Sequence, residues 1–446
     1  MGTFDIQSQS SWSKSEKNLF KFFGLYFFIQ ILPIDLSFLK HIASTNWLTL
    51  QYRDIFYLSR YAPDFLGEQS FLNWIIVAIL ALVGTILWDK VLPKDINYDK
   101  WYYWIRVFVR YRLALGLIGY AFLKVYTIQS PEPSLSNLNT NYGDFTAWKL
   151  FSLGLGVVPS YQSFLGLVEL AGALLLLHRK TTTLGTLIIL PFAGNVAISN
   201  IAYEGGEYVY AFYLISLGLY LFAFDAIRLF KLVSLEQPVD QNHFQPEFRE
   251  KKQLYRLTLK GLYIIVFVVF YGYKTKAGAS GGGYHFPSQA GLSQLTGVYN
   301  VKTFKLNNQE IPYSKTDSVR WQDVIFEKWN TISIKSNREV NIKNLPTEEI
   351  FSKDSQRIYE LAGTQGRHFY SYQKDPSSNI LRLTNRNVNY KNDALTIHYQ
   401  VLNDSIVVLS GVDAHQDSVY AVLEKLNKKY LINEAKKVGR RSVLKL

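Results

Sequence analysis

Phe164-Leu-Gly-Leu-Val-Glu169-Leu-Ala-Gly-Ala-Leu-Leu-Leu-Leu177 is an apolar run with the character of a membrane span and one carboxylate near its middle. An acid in hydrocarbon is costly unless a proton or a cation neutralises it, so its retention points to a duty. A cation stands one apolar segment upstream. It is Lys124, the last residue of Arg112-Leu-Ala-Leu-Gly-Leu-Ile-Gly-Tyr-Ala-Phe-Leu-Lys124. With a helical rise of roughly 1.5 Å per residue, Glu169 lies within its span and not at the outer end. A lysine stem on an antiparallel neighbour can snorkel that way. The small residues Gly166, Ala171, Gly172 and Ala173 allow the two helices to approach closely.

Two readings of the pair follow. In one, Lys124 and Glu169 form an ion pair that fixes helix register. In the other, Glu169 is a proton acceptor or the polar end of a pocket for an amphipathic molecule such as a quinone. Asn195 and Ser199, four residues apart, share a face of the following span, where they either line a cavity or bond a neighbouring helix. The candidate intramembrane polar site is therefore Arg112, Lys124, Glu169 and Asn195. Asp225 and Arg228 read as a local i, i+3 pair near the cytoplasmic end of a later span.

Outward from this core, apolar residues concentrate between positions 18 and 273, while the last third of the 446-residue chain is polar and alternating. Seven apolar segments are expected, at 19–39, 71–88, 104–126, 164–178, 183–202, 208–230 and 259–273. The first carries Pro33 and Asp35 and is expected to kink or end early. The stretch 151–158 is too short to cross and is expected to lie along the surface. Lys and Arg crowd alternate loops, among them Lys90, Lys94, Arg106, Arg110, Arg179, Lys180, Arg228 and Arg249. The loop holding Glu204 and Glu207 has none. The positive-inside rule then places the amino terminus in the cytoplasm and the carboxyl-terminal domain outside, in a multi-pass protein of the cytoplasmic membrane.

The net charge of +13 fits basic span ends better than nucleic-acid binding. Absence of cysteine excludes disulfides, thiolate metal sites and cysteine nucleophiles. The seven histidines have no ligand-like spacing, so neither a metal site nor a catalytic residue is assigned.

Beyond Tyr273 the run Lys-Thr-Lys-Ala-Gly-Ala-Ser-Gly-Gly-Gly reads as a flexible tether. From Gly297 onward the hydrophobic period becomes two, as in Ile380-Leu-Arg-Leu-Thr and Leu395-Thr-Ile-His-Tyr-Gln-Val. The segment 401–407 is expected to form a hairpin turning on left-handed Asn403 and Asp404, and 417–430 a strand followed by a turn in preference to a short helix. Trp321 and Trp329 are expected to pack within the resulting barrel rather than form a ligand box, and its interior is either filled by side chains or holds one small ligand, the filled barrel being the plainer expectation. The fold class is an all-α polytopic membrane bundle followed by an antiparallel β barrel or sandwich. The divisions are 1–100 for amino-terminal helices and loops, 101–235 for a four-helix core, 236–284 for a cytoplasmic loop, the seventh span and the tether, and 285–446 for the β domain.

The motifs Arg112-Leu-Ala-Leu-Gly-Leu-Ile-Gly-Tyr-Ala-Phe-Leu-Lys124 and Val168-Glu-Leu-Ala-Gly-Ala-Leu-Leu-Leu-Leu177 resemble the DoxX family of small four-helix membrane proteins. The resemblance covers residues 112–231 and carries over to Arg112, Lys124 and Glu169. The extra helices and the lipocalin-like β domain resemble an enlarged form of the Bacteroidetes type. It implies a bacterial inner-membrane protein with the β domain in the periplasm, and, for some members, a quinone-linked subunit of an oxidoreductase complex. Three functions are thus expected in turn. They are a quinone-linked or redox-associated accessory subunit, a non-enzymatic scaffold or envelope-assembly factor whose outer domain binds a membrane or periplasmic partner, and a proton-coupled transporter.

Overall fold

A computed structural model of the protein describes residues 12–67, 70–91, 96–239, 250–281, 283–342, 350–351, 353–375 and 377–438. Lys94 and Arg249, two of the cations used above for orientation, lie outside the described residues. The chain divides into two compact units, 1–126 with 163–278, and 127–162 with 279–446.

The first unit is helical. It contains α1 (Lys14–Ile31), α2 (Leu36–Ser44), α3 (Tyr52–Ser59), α4 (Phe71–Val91) and α5 (Tyr98–Val125). The second unit takes up α6 (Leu135–Leu138) and α7 (Ala147–Val157). The chain then enters α8 (Pro159–Leu176) and continues through α9 (Thr182–Ala202), α10 (Tyr208–Ser234), α11 (Glu250–Ile264) and α12 (Tyr271–Ser280). Among the described residues five helices are long and apolar enough to cross a membrane, or six if α7 and α8 count as one broken span. The basic helix α5 is not among the five.

Local chemistry sets the helix ends. Ser13 and Glu16 cap α1 reciprocally, Ser13 Oγ accepting from the Glu16 N–H at 3.2 Å and the Glu16 carboxylate from the Ser13 N–H at 2.8 Å. Before Pro33 that helix stops, and Asp35 starts α2 by accepting the Phe38 N–H at 2.7 Å, so the first apolar segment ends early as expected.

Small residues decide which helices touch. A Cβ on Gly166 of α8 would lie 2.5 Å from the Val125 nitrogen and 2.7 Å from the Ala121 carbonyl oxygen of α5. On Gly119 it would meet the Ser59 hydroxyl at 2.1 Å, and on Gly116 the Tyr210 hydroxyl at 2.6 Å. α5 is therefore the hub on which α3, α8 and α10 pack, by the close backbone approach that membrane helices use.

The expected tether is not one. Helix α12 runs through Lys274-Thr-Lys-Ala-Gly-Ala-Ser280, and a Cβ on Gly278 would come within 2.4 Å of the Tyr52 ring. Glycine here gives contact with α3 rather than slack.

The second unit holds a closed antiparallel barrel, which resolves the barrel-or-sandwich alternative. Its strands are β1 (Gly297–Leu306), β2 (Gln309–Glu310), β3 (Asp323–Phe326), β4 (Thr331–Lys335), β5 (Arg367–Lys374), β6 (Ile380–Asn385), β7 (Ala394–Val401), β8 (Ile406–Asp413) and β9 (Ser418–Leu426). Eight of them pair in the order β1-β3-β4-β5-β6-β7-β8-β9, and β1 closes on β9 across a bulge between Val301 and Thr303. Closure leaves no free strand edge on the barrel wall. The short β2 extends β1 through Asn307 and Asn308, both left-handed at φ 51° and 63°, as a two-residue primed turn demands. In the 401–406 hairpin, by contrast, neither Asn403 nor Asp404 has a positive φ. The Asn403 side chain instead accepts the Ser405 and Ile406 N–H groups, both at 2.9 Å.

The interior is packed with side chains such as Tyr299, Phe304, Phe326, Tyr370, Tyr372, Leu383 and Tyr399. Trp321 joins it, but Trp329 sits outside the wall, stacked on Phe286 at 4.2 Å. A short helix α13 (Leu431–Val438) follows the last strand.

Candidate functional site

Glu169 lies midway along α8, one turn beyond Gly166. Lys124 lies one turn beyond Ala121 on α5. The backbone contact that Gly166 permits therefore aligns the two side chains, and Lys124 Nζ meets Glu169 Oε2 at 2.7 Å. Glu169 is buried and Lys124 half-buried, their side chains 5% and 11% exposed. The ammonium also lies 5.4 Å from the Tyr120 ring centre and 5.9 Å from that of Phe192. Cation, carboxylate and two aromatic faces thus form one small cluster, in which each charge is stabilised by the other.

The other two candidate residues lie elsewhere. Arg112 extends to the carboxyl-terminal end of α3, where Nη1 donates to the Ser59 carbonyl at 2.7 Å and Nη2 to the Tyr61 carbonyl. Helix ends leave carbonyls without intrahelical partners, and inside a bundle a guanidinium fork serves them in place of water. Tyr210 and Tyr213 flank the same guanidinium. Asn195 is exposed on the outer face of α9 and is not part of the cluster. The i, i+3 pair of Asp225 and Arg228 is present at 2.9 Å.

A second, half-buried ion pair escapes sequence reading. Arg60, the residue that ends α3, pairs with Glu207, which begins α10. Glu207 also accepts from the Tyr120 hydroxyl at 2.9 Å. Tyr120 thereby links the two pairs, its hydroxyl on Glu207 and its ring beside Lys124. The only sequence signal was a glutamate in a cation-free loop. Its partner comes from 147 residues earlier, in a segment between two long apolar helices.

The second unit has a polar network of its own, which no motif announces. The insert 127–162 covers the outer face of β3, β4 and β5. Glu327 accepts the Ser136 N–H at 2.7 Å and the Ser136 hydroxyl at 2.6 Å. Arg386 pairs with Glu360 at 2.5 Å, and Glu360 also accepts from Trp329 Nε1 at 3.0 Å. Arg367 reaches Asp323 at 2.6 Å and the Asn139 carbonyl at 3.2 Å. Lys149 donates to the Tyr359 carbonyl and lies over the Tyr359 ring.

Burial first, then the neighbouring Glu360 charge, pushes the Glu327 carboxyl up to about 7. Burial also holds His285 down at about 3, its Nε2 set 2.8 Å from the Gln129 carbonyl. At the barrel end beside the 401–406 hairpin a cavity of about 630 Å³ opens, lined by Tyr299, Tyr399 and Val407 under a rim of Asn403, Asp404 and Lys425. No group of three or more metal-ligating side chains occurs among the described residues.

No family model, curated protein or solved structure matches the chain.

Proposed function

We propose that the chain is a DoxX-like protein of the bacterial inner membrane, working as a non-catalytic scaffold subunit. Its helical unit is the anchor, and its barrel is the module offered to a periplasmic partner. The closed Lys124–Glu169 pair carries this reading. A group poised for proton transfer or ligand binding is left available, whereas this carboxylate is held by a cation of its own bundle. Glu207 is held likewise by Arg60 and Tyr120. Register-fixing is the best-attested use of such buried pairs. The cation-rich loops at one end of the helices favour a cytoplasmic amino terminus and an outer barrel.

A second reading, a quinone-linked accessory subunit, draws on one observation. Lys124 stands between the rings of Tyr120 and Phe192, the aromatic flanks that a quinone ring would use. Extraction of the chain purified from native membranes, followed by mass spectrometry for quinones, separates the two. The scaffold reading expects no stoichiometric quinone in wild type or in Glu169→Gln. Quinone retained by wild type and lost from a folded Glu169→Gln variant overturns it.

A further inference from the structure

At the end of the helical unit opposite to Lys124, α5, the α8–α9 turn and α10 enclose a cavity of about 440 Å³. Among the described residues five cations line it, Arg106 and Arg110 from α5, Arg179 and Lys180 from the turn, and Arg228 from α10, against the one carboxylate of Asp225. That carboxylate is already engaged. It accepts from the Thr183 hydroxyl at 2.5 Å and pairs with Arg228 at 2.9 Å.

No carboxylate lies within ion-pair distance of Arg106 or Arg110 among the described residues. Arg110 is only 9% exposed, and the Nε groups of Arg106, Arg110 and Arg228 are buried without a hydrogen-bond acceptor. The Arg106 guanidinium stacks on Phe224 at 3.2 Å, which orients its fork but neutralises nothing. Buried guanidinium donors without acceptors are unfavourable, and planar forks of this kind match phosphate oxygens.

We propose that this cavity binds the phosphodiester headgroup of an anionic phospholipid. The inference rests on the membrane reading above. A lipid is favoured over free phosphate because the cavity is not polar throughout. Val107, Leu221 and Leu229 form its wall, and Leu232 leads to the exposed apolar surface of α10 at Val233, where acyl chains can lie. Basic pockets between membrane helices on the side of the basic loops recognise such headgroups.

The full chain, purified in detergent and delipidated, is titrated with phosphatidylglycerol, with phosphatidylcholine and with inorganic phosphate, and bound lipid is read by native mass spectrometry. Phosphatidylglycerol should be retained, phosphatidylcholine should not, and phosphate should fail to compete. Arg110→Gln should weaken retention about fivefold, the effect of one basic charge near a membrane surface. Lys180→Glu, on the exposed turn where folding is not at stake, should weaken it at least as much. Equal retention of both lipids, full competition by phosphate, or retention unchanged in Lys180→Glu overturns the proposal. Carbonate washing of cell membranes tests the underlying reading separately. A chain released by the wash is not membrane-embedded, whereas a chain that stays but shows no lipid preference lacks only the headgroup site.

Discussion

The two units of this molecule distribute apolar and polar side chains in opposite ways. In α4, Leu72, Ile75, Ile79, Leu82 and Ile86 are each more than half exposed, while Asn73 is buried and accepts the Phe65 N–H at 2.9 Å. In β6, Leu381 and Leu383 are buried in the barrel, while Arg382 and Thr384 face outward. An apolar exterior around polar contacts suits hydrocarbon, where backbone and side-chain polarity must be satisfied internally. The reverse arrangement suits water. Buried charge is handled differently as well. The helical unit uses compact ion pairs, one of them set by the Gly166 contact, whereas the barrel unit uses a larger network joining the 127–162 insert to the outer face of three strands.

That contrast can be broken most forcefully at Lys124. Lys124→Ala leaves Glu169 buried without its cation, and such changes cost about 3–5 kcal/mol. Thermal unfolding in detergent should show a large drop, which the exchanged pair Lys124→Glu with Glu169→Lys should largely restore. A Lys124→Ala protein as stable as wild type would mean that the pair does not hold the bundle together.

The barrel unit should respond to acid through His285. Folded, this imidazole is neutral down to about 3, whereas the unfolded chain takes up the proton near its ordinary value of 6.5. The unfolded state binds more protons in between, so stability is lost as pH falls from 6.5 towards 3, by about 1.4 kcal/mol per pH unit. His368, held down at about 4 by burial, acts in the same direction. Glu327 acts oppositely. With its folded value raised from 4.5 to about 7, its contribution is complete below 4.5 and fades as pH rises towards 7. Comparing wild type with His285→Phe by denaturant titration at several pH values isolates one group, and the variant should lose stability less steeply in acid. Parallel curves would show that His285 is not held neutral.

The smallest effect is expected at Asn195. Exposed on α9 and outside the polar cluster, it should tolerate Leu within about 0.5 kcal/mol. A larger loss in the same unfolding assay would restore it to the candidate site.

Period and composition made much of this legible. The apolar runs became helices, the alternating tail became a barrel, and Lys124 with Glu169 could be matched because Glu169 is the one charge of its run and Lys124 closes the run before it. Long-range polar pairing was not legible. Arg60 and Glu207, or Glu327 and Ser136, belong to segments far apart in the chain, and nothing in their local spacing marks them. Glycine was the ambiguous letter. At 274–283 it read as slack, yet Gly278 is where two helices touch, because the absence of a side chain serves freedom and close contact equally.

Sequence alone determined that one part of this chain forms long apolar helices and another an alternating β domain, since hydrophobic periodicity is a local property that each segment carries with it. Only the tertiary structure decided which charges meet, that Arg112 serves a helix end rather than Glu169, and that the 127–162 insert belongs with the barrel. Those outcomes depend on helix contacts and strand closure, where a difference of one methyl group at Gly166 or Gly119 determines whether two backbones can approach.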